Sequence, residues 1–382
     1  MIKSQCPFPL LNPLPQAGEE ANEPLRELLV NQGNEIMNQD WQNFLTQQGG
    51  QLHEGVVQHF GNLQAELVAA RDSTVLCDLS QFGSIKVSGE EAQKFLQNLL
   101  SNDISAVNAK SAQLSSFNSP KGRMLASFLI WQQGADYCLQ LPRSLSVAMH
   151  KKLSMYVLRA KVKVSDASDE VVCLGLSGRE AAKLIENNFN ALPDRDWAVL
   201  QHDTACVIRM AADRFLISTT VPHATELWAS LNKTAQMAGS ASWDWLNIRA
   251  GLPVITPATQ EQFVLQMTNL DVLGGVSFTK GCYPGQEIVA RTHYLGKQKR
   301  RMFLAHVESE TIPAAGSELF STEMPGQACG MVMNTCAAPG GGYDLLAVMQ
   351  ISSYEAQHVH LQSLQGAALQ FLALPYALPA SE

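Results

Sequence analysis

The stretch K-G-C-Y-P-G-Q-E, residues 280–287, carries more information than any other part of this 382-residue chain. It places Cys282 in a glycine-flanked turn, with Lys280 before it and Arg291 after it. Glycine lets the backbone adopt positive φ or approach a ligand closely. A nearby cation favours the thiolate, which is the reactive form of cysteine. The pattern therefore predicts that Cys282 is a functional thiol supported by the two cations.

Other interpretations of these residues stay open at this point. A free cysteine is most often a small buried core residue, and Cys282 would then be inert. His293 could pair with the thiol in a catalytic dyad, but the sequence shows no third residue to orient the imidazole. Lys280 and Arg291 could equally be solvated loop charges, which contribute little.

The segment that starts at Lys280 is a positively charged island in an acidic protein. Residues 280–301 have a net charge of +5, whereas the whole chain has a formal net charge of −8. Such an island calls for an anionic partner, which could be tRNA, a polyglutamate tail or an acidic protein. It could also serve solubility alone. The basic residues predicted to contact tRNA are Lys297, Lys299, Arg300 and Arg301.

Composition sets further bounds on the class of protein. The chain is 46% hydrophobic and 16% charged, which is ordinary for a globular protein, and its length predicts two or three domains. The eight cysteines include no C-x-x-C pair, so no metal site is predicted. No signal peptide or apolar run of membrane-spanning length is present in the sequence. We therefore expect a cytoplasmic protein with reduced thiols and no membrane contact.

Patterns of hydrophobic residues predict an α+β fold. Between residues 41 and 296, strand and helix signals follow the order strand–helix–strand–strand–helix–strand about twice over. Residues 112–141 predict a β-hairpin with S-P-K-G, residues 119–122, at its turn. The sheets are therefore expected to be antiparallel and covered by helices.

The two ends of the chain differ from its middle in composition and in their predicted secondary structure. Residues 1–40 are rich in Pro, Gln and Asn and predict an extension with a short helix at Glu23–Met37. After Arg301, short strands separated by Gly and Pro turns predict a closing β-barrel. The predicted domains are thus the extension 1–40, two interlocked α+β lobes in 41–296 that include a signature loop at 280–291, and a barrel in 297–382.

The segment from Trp243 to Arg301 resembles the YgfZ family of folate-binding proteins, relatives of the mitochondrial iron–sulfur assembly factors. The resemblance rests on four motifs: R-A-G-L-P at 249–253, N-L at 269–270, G-G-V-S-F-T-K-G-C-Y-P-G-Q-E-I-V-A-R at 274–291, and G-K-Q-K-R at 296–300. Weaker agreement extends over residues 42–376.

This resemblance implies a three-domain, ring-like fold of the aminomethyltransferase type with tetrahydrofolate in a central channel. It implies that Phe82 and Trp243 are aromatic contacts of the folate, with Asn118 and Arg123 in the hairpin as further folate-binding residues. A flat aromatic ring stacks well on a pterin, although a tryptophan such as Trp243 is more often a core anchor.

The resemblance also implies a function and leaves an alternative to it. The expected function is that of a folate-binding accessory protein that supports iron–sulfur cluster assembly or repair and tRNA modification. Its partners would be folate and iron–sulfur assembly or client proteins. The alternative is a tetrahydrofolate-dependent aminomethyltransferase of the glycine cleavage T-protein type.

The hairpin bears on this alternative. In aminomethyltransferases the sequence of this hairpin is similar to N-E-x-G-G-x-x-D-D. This chain has Ala126 and Ser127 at the two acidic positions. Neither side chain can hold a negative charge beside a folate nitrogen. The sequence therefore predicts a cavity without a carboxylate, and a protein that is not an ordinary aminomethyltransferase.

Overall fold

The computed structural model describes residues 38–294 and 298–379. The predicted helix at Glu23–Met37 and the predicted tRNA contact Lys297 lie outside these residues. Within the described ranges, the strands form three large sheets and one small hairpin, with helices packed on them. The structure is thus a mixed α/β fold with several sheets. No helix in the described part of the chain is both long and apolar enough to span a bilayer.

The described chain begins with a short helix and a hairpin. Helix α1 starts after Asn38, whose side chain caps its N-terminus, and it buries Trp41 and Leu45. Gly49 follows the helix with φ +91°, a conformation that most residues avoid, and the chain turns there toward the hairpin. The elements here are α1 Gln39–Gln47, β1 Gln51–His53 and β2 Val56–His59.

The first large sheet has the strand order β10-β11-β12-β9-β3-β13. Its strands pair antiparallel except β13, which runs parallel to β3, so the expectation of purely antiparallel sheets is wrong here. Its strands are β3 Val75–Asp78, β9 Val172–Ser177, β10 Val199–Gln201, β11 Ala205–Ala211, β12 Arg214–Thr219 and β13 Gln236–Ala238. The helices around it are α2 Leu63–Asp72, α5 Ala181–Phe189, α6 Val221–Leu231 and α7 Ser240–Arg249.

The second large sheet contains the predicted hairpin and has the order β5-β6-β7-β4-β8. The S-P-K-G turn joins β5 to β6, and Gly122 in this turn has φ +71°. The elements are β4 Phe82–Ser88, α3 Ala92–Gln97, β5 Gln113–Asn118, β6 Met124–Gln133, β7 Asp136–Pro142, α4 Arg143–Met155 and β8 Lys163–Asp166.

The signature segment differs from the predicted loop in its second half. Gly285, at φ +79°, closes the turn, and helix α8 (Gln286–Tyr294) begins directly after it. The helix buries only Val289, so it lacks the wide apolar stripe that reveals a surface helix in a sequence.

The third sheet is antiparallel, with the order β18-β15-β16-β17-β14-β19. Residues just before β19 also bond to the opposite edge, since Leu369 N–H donates to the Val359 carbonyl in β18. One segment of chain therefore touches both edges of the sheet, which is the part of the predicted barrel that the structure describes. The elements are β14 Arg300–Val307, β15 Glu318–Ser321, β16 Ala328–Ala337, β17 Tyr343–Gln350, α9 Ile351–Ala356, β18 Val359–Leu361 and β19 Gln370–Leu372.

Helix α7 joins the first sheet to the third. The indole N–H of Trp245 donates to the Asp344 carboxylate on β17 at 2.9 Å. Beyond the helix, the Asn334 side chain on β16 exchanges two hydrogen bonds with the backbone of Val254, at 2.8 and 3.0 Å. These contacts hold α7 and the segment after it in the space between the three sheets.

Candidate functional site

A cavity of about 250 Å³ lies between the second sheet, the third sheet and helix α7. Its walls come from the start of β4, from α7 and the segment that follows it, and from β16. An adjoining cavity of about 60 Å³ shares part of this wall and extends to Trp243, Ser127 and Gln140. The residues that line both cavities are Phe82, Pro142, Asn247, Leu252 and Val254.

Of the predicted aromatic contacts, Phe82 and Trp243 both lie on this cavity wall. Phe82 is half-buried, whereas Trp243 is only 1% exposed. The Trp243 ring packs on Gly175, where a Cβ atom would come within 2.5 Å of the ring. The Arg214 guanidinium lies 4.1 Å from the ring centroid. Trp243 is therefore a core residue that also reaches the cavity.

Several buried polar atoms on the cavity wall have no hydrogen-bond partner among the described residues. They are Gln81 Oε1 and Thr335 Oγ1 in the larger cavity and Gln140 Nε2 in the smaller one. Buried polar groups are almost always paired with protein, water or a ligand. The cavity thus combines aromatic walls with unpaired donors and acceptors, and this combination fits a flat, polar heterocycle such as a pterin.

The expectation of a cavity without a carboxylate is wrong. Ala126 and Ser127 carry no charge, and the Ser127 hydroxyl accepts a hydrogen bond from the Ile255 N–H at 3.1 Å. The acid comes instead from Asp244 on α7, which lines the larger cavity. Burial raises the pKa of Asp244 to about 6, against the opposing effects of Gln81 and Arg214. The hairpin motif could not reveal this carboxyl group, because a different element supplies it.

Cys282 is the only exposed cysteine among those that the structure describes. The interpretation of Cys282 as a sealed core thiol is therefore wrong. The dyad with His293 finds no support either, because the imidazole stacks on Phe278, with ring centroids 3.7 Å apart, and no hydrogen bond joins it to Cys282. Cys282 does not line either cavity, so the thiol and the cavity are separate features of the surface.

Lys280 is buried and anchors the signature segment to the end of α3. Its ammonium group donates three hydrogen bonds to backbone carbonyls, those of Gln97 at 2.7 Å, Leu100 at 2.6 Å and Asn102 at 2.9 Å. Burial lowers its pKa to about 8. An ammonium group has only three donors, so none is left for the Cys282 sulfur. That Lys280 supports the Cys282 thiolate stays a prediction. Any such support would have to come from the charge of the ammonium group and not from a hydrogen bond.

Lys280→Ala should lower the free energy of unfolding by about 1–3 kcal/mol, because it leaves buried carbonyls without a donor. Chemical denaturation of the purified protein measures this loss. Lys299→Ala is the matched control, since Lys299 is exposed and the change is expected to stay within about 0.5 kcal/mol. Equal stability of the two variants would contradict the anchoring role.

The hairpin end lies against the signature segment and not on the cavity. A Cβ atom at Gly285 would come within 2.6 Å of the Gly122 Cα, so the hairpin turn packs directly on the start of α8. Asn118 is buried, and its Nδ2 has no partner among the described residues. The Arg123 guanidinium donates to the Gln262 carbonyl. Asn118 and Arg123 line neither cavity, whereas Phe82 lines both and Trp243 lines the smaller one.

The predicted basic contacts also separate into different environments. Arg291 on α8 and Lys299 are exposed, and Arg300 is half-buried. Arg301 is buried and forms a two-bond ion pair with Asp271, at 2.7 and 3.0 Å. Its predicted contact with tRNA is therefore wrong, because the carboxylate already occupies the guanidinium.

Comparison with known proteins finds one family model and several sequence relatives of this chain. Residues 42–205 match the GCVT N-terminal domain family. The chain is 34% identical over 253 residues to the tRNA-modifying protein YgfZ of Klebsiella pneumoniae (strain 342), covering 66% of this chain and 77% of that protein. It is 33% identical over 253 residues to the protein of the same name from Shigella boydii serotype 4, with the same shares covered.

A solved structure supports the fold. The glycine cleavage system aminomethyltransferase T from Bartonella henselae superposes with a TM-score of 0.72, at 18% identity, over 87% of this chain and 96% of that one. The fold is thus that of the glycine cleavage T-protein. The sequence relatives, at 33–34% identity over 77% of their length, show that the chain belongs to the YgfZ family, as the resemblance implies.

Proposed function

We propose that this protein is a tetrahydrofolate-binding accessory factor that supports tRNA modification through iron–sulfur cluster assembly or repair. The observation that carries the proposal is the pair of adjoining cavities beside helix α7, with their aromatic lining and unpaired polar atoms. The Klebsiella and Shigella relatives are named tRNA-modifying proteins, which supports the proposed role in tRNA modification.

The folate would be held by the residues of the cavity wall. Phe82 offers a half-buried ring for stacking, and Trp243 lines the smaller cavity. Polar recognition would come from the unpaired atoms of Gln81, Gln140 and Thr335. When bound, tetrahydrofolate supplies a carrier for one-carbon groups. The contribution of this chain is to orient it and to exclude water from its ring.

The domain arrangement belongs to the same proposal. Residues 41–296 would form two lobes and residues 297–382 a third, with the three closing into a ring around the cavity. The support for this arrangement is that both cavities draw their walls from more than one sheet. The closing barrel is supported by the backbone hydrogen bond from Leu369 to Val359, which joins the last segment to the opposite edge of its sheet.

Cys282 would act toward partners rather than toward the folate. Its thiol is exposed, and it lies outside the lining of both cavities. An exposed thiol can exchange sulfur, form a mixed disulfide or ligate a cluster together with residues of another protein. The partners would thus be iron–sulfur assembly or client proteins. Exposed cations nearby in the sequence, Arg291 and Lys299, would provide a salt-sensitive contact with tRNA.

The proposed function is tested in a bacterium that lacks its own YgfZ relative. Expression of this chain should restore the nucleosides in tRNA that iron–sulfur enzymes produce, as measured by mass spectrometry of digested tRNA. An unrelated gene on the same vector is the control. If the protein accumulates in folded form and the nucleosides do not recover, the proposed support of tRNA modification is wrong.

Phe82→Ala should weaken tetrahydrofolate binding about tenfold, because one aromatic stacking contact contributes about 1–3 kcal/mol. Calorimetric titration of the purified variant measures the change. Phe278→Ala is the matched control, since Phe278 is also half-buried but lies in the signature segment, away from the cavity lining. Equal affinity of Phe82→Ala and the wild type would remove Phe82 from the folate site.

The Asp244 carboxyl favours a second candidate, folate-dependent one-carbon transfer. A cavity carboxyl with a pKa of about 6 can move a proton near neutral pH, which transfer from an aminomethyl donor requires. Tetrahydrofolate-dependent release of formaldehyde or ammonia from such donors would reveal this activity. Turnover that Asp244→Asn abolishes even at saturating tetrahydrofolate would replace the accessory function with an enzymatic one, and absence of turnover in the wild type would discard this candidate.

A further inference from the structure

Two hydrogen-bond acceptors face the larger cavity side by side. Gln81, in the turn between β3 and β4, donates from its Nε2 to Asp244 Oδ1 at 3.2 Å. This single bond fixes the two side chains next to each other although they lie 163 residues apart in sequence. Gln81 Oε1 remains buried without a partner, and Asp244 Oδ2 makes no hydrogen bond to any described residue. Both side chains line the cavity.

The carboxyl of Asp244 has no cationic partner in the described part of the chain. Arg214 is the cation that influences it, but its guanidinium binds elsewhere, donating to Asn247 Oδ1 at 2.7 Å and to the Leu246 carbonyl at 3.1 Å. A carboxylate that is withdrawn from water without a paired cation is costly to keep. Asp244 and Gln81 therefore present oxygen atoms that can accept hydrogen bonds from a ligand, because the described residues donate none to Asp244 Oδ2 or Gln81 Oε1.

A third polar atom stands in the same cavity. The Thr335 hydroxyl on β16 is buried and unpaired, and a hydroxyl can donate as well as accept. A ligand that satisfies all three groups carries adjacent N–H donors on one edge and an acceptor beside them. A planar N–C–N group next to a carbonyl oxygen has this pattern, and the 2-amino-4-oxo edge of a reduced pterin is such a group.

We propose that Asp244 and Gln81 together bind the amino edge of the pterin ring, with the Thr335 hydroxyl donating to its oxo group. This inference rests on the proposed folate function and adds to it the residues that determine specificity for the pterin ring. Asp244 and Gln81 are then specificity-determining residues of the cavity. An apolar ring of the same size would leave the carboxyl and the amide oxygen without donors and would be rejected.

Calorimetric titration with tetrahydrofolate tests the proposal. Asp244→Asn should weaken binding about 100-fold, because a charged acceptor becomes a neutral amide. Gln81→Leu should weaken it about tenfold, and this variant keeps the test valid if Asp244→Asn fails to fold. Thermal unfolding of each variant shows whether the fold is intact. Gln362→Leu, a change in a turn of the third sheet, is the control and should bind as the wild type does.

A ligand that lacks the 2-amino group shows whether a loss of affinity comes from the lost contact with that group or from a less stable protein. The 2-desamino analogue of tetrahydrofolate should bind the wild type weakly, and Asp244→Asn should lower its affinity no further, because the lost contact is the same one. If Asp244→Asn and Gln81→Leu both bind tetrahydrofolate as tightly as the wild type, the amino-edge site is wrong while the folate function stands. If the wild type itself does not bind tetrahydrofolate, both proposals fail.

The pH dependence of binding gives an independent readout. Since the pKa of Asp244 is raised to about 6, the carboxylate prevails above this pH and protonates below it. Affinity should therefore fall as the pH drops through 6, and the fall should be absent in Asp244→Asn. The other charged or titratable groups that face Asp244 are Arg214, Cys77 and Cys336; burial raises the pKa of both thiols, so they stay protonated. An identical pH profile in Asp244→Asn and the wild type would overturn the proposal.

Discussion

Cys282→Ser should abolish the recovery of tRNA modification in cells while leaving the fold and the affinity for tetrahydrofolate intact. The side chain is exposed, so exchanging sulfur for oxygen is expected to change the free energy of unfolding by less than about 0.5 kcal/mol. The serine hydroxyl has no sulfur and is not ionised near neutral pH, whereas the proposal requires the chemistry of a thiol. Nucleoside analysis of tRNA from the complemented cells measures the effect.

The control for this experiment is Thr279→Ser in the same exposed segment. Thr279 lies three residues before the cysteine, and its substitution keeps a hydroxyl while leaving the thiol in place. We expect it to restore tRNA modification as well as the wild type does. Full recovery with Cys282→Ser, at matched protein levels, would show that the thiol has no role in the function.

Trp243→Ala should lower the free energy of unfolding by about 3–5 kcal/mol, which is a large share of the stability of a typical domain. The ring is 1% exposed, packs directly on Gly175 and lies under the Arg214 guanidinium. Its removal leaves a void and exposes a buried cation to that void. Chemical denaturation measures the loss.

Trp243→Phe is the matched variant, since it keeps an aromatic ring in the same place and should lose much less stability. Wild-type stability of Trp243→Ala would contradict the core role that the packing indicates. Because the alanine variant is expected to disturb the fold, loss of folate binding in it would not locate the ligand. The half-buried Phe82 is the better probe of the aromatic wall.

Local sequence patterns are sufficient for much of the fold. The S-P-K-G turn and the alternation around it place the hairpin, which the structure has as strands β5, β6 and β7. The apolar spacing of residues 144–158 predicts an amphipathic helix with Leu145, Ala148, Leu153 and Tyr156 facing in. Helix α4 confirms the helix and the burial of Leu145 and Leu153, but the prediction is wrong for Ala148 and Tyr156, which are exposed. These features depend on residues that are close in sequence, and the physical rules for turns and amphipathic helices act at this range.

The site depends on contacts that no local pattern reveals. The carbonyl partners of Lys280 lie 178 to 183 residues away in sequence, so its anchoring role is invisible until α3 and the signature segment are placed together. Asp244 stands between two tryptophans on a helix that is buried on most sides, and only the positions of Gln81 and Thr335 show that it faces a cavity. An acid between two tryptophans is the one signal in the sequence that points toward it.

Calorimetric titration of the wild-type protein with tetrahydrofolate is the decisive measurement for the proposed folate site. We expect saturable binding with one site per chain, because one pair of adjoining cavities carries the aromatic lining and the unpaired polar atoms. Absence of binding by the folded protein at every attainable ligand concentration would contradict it.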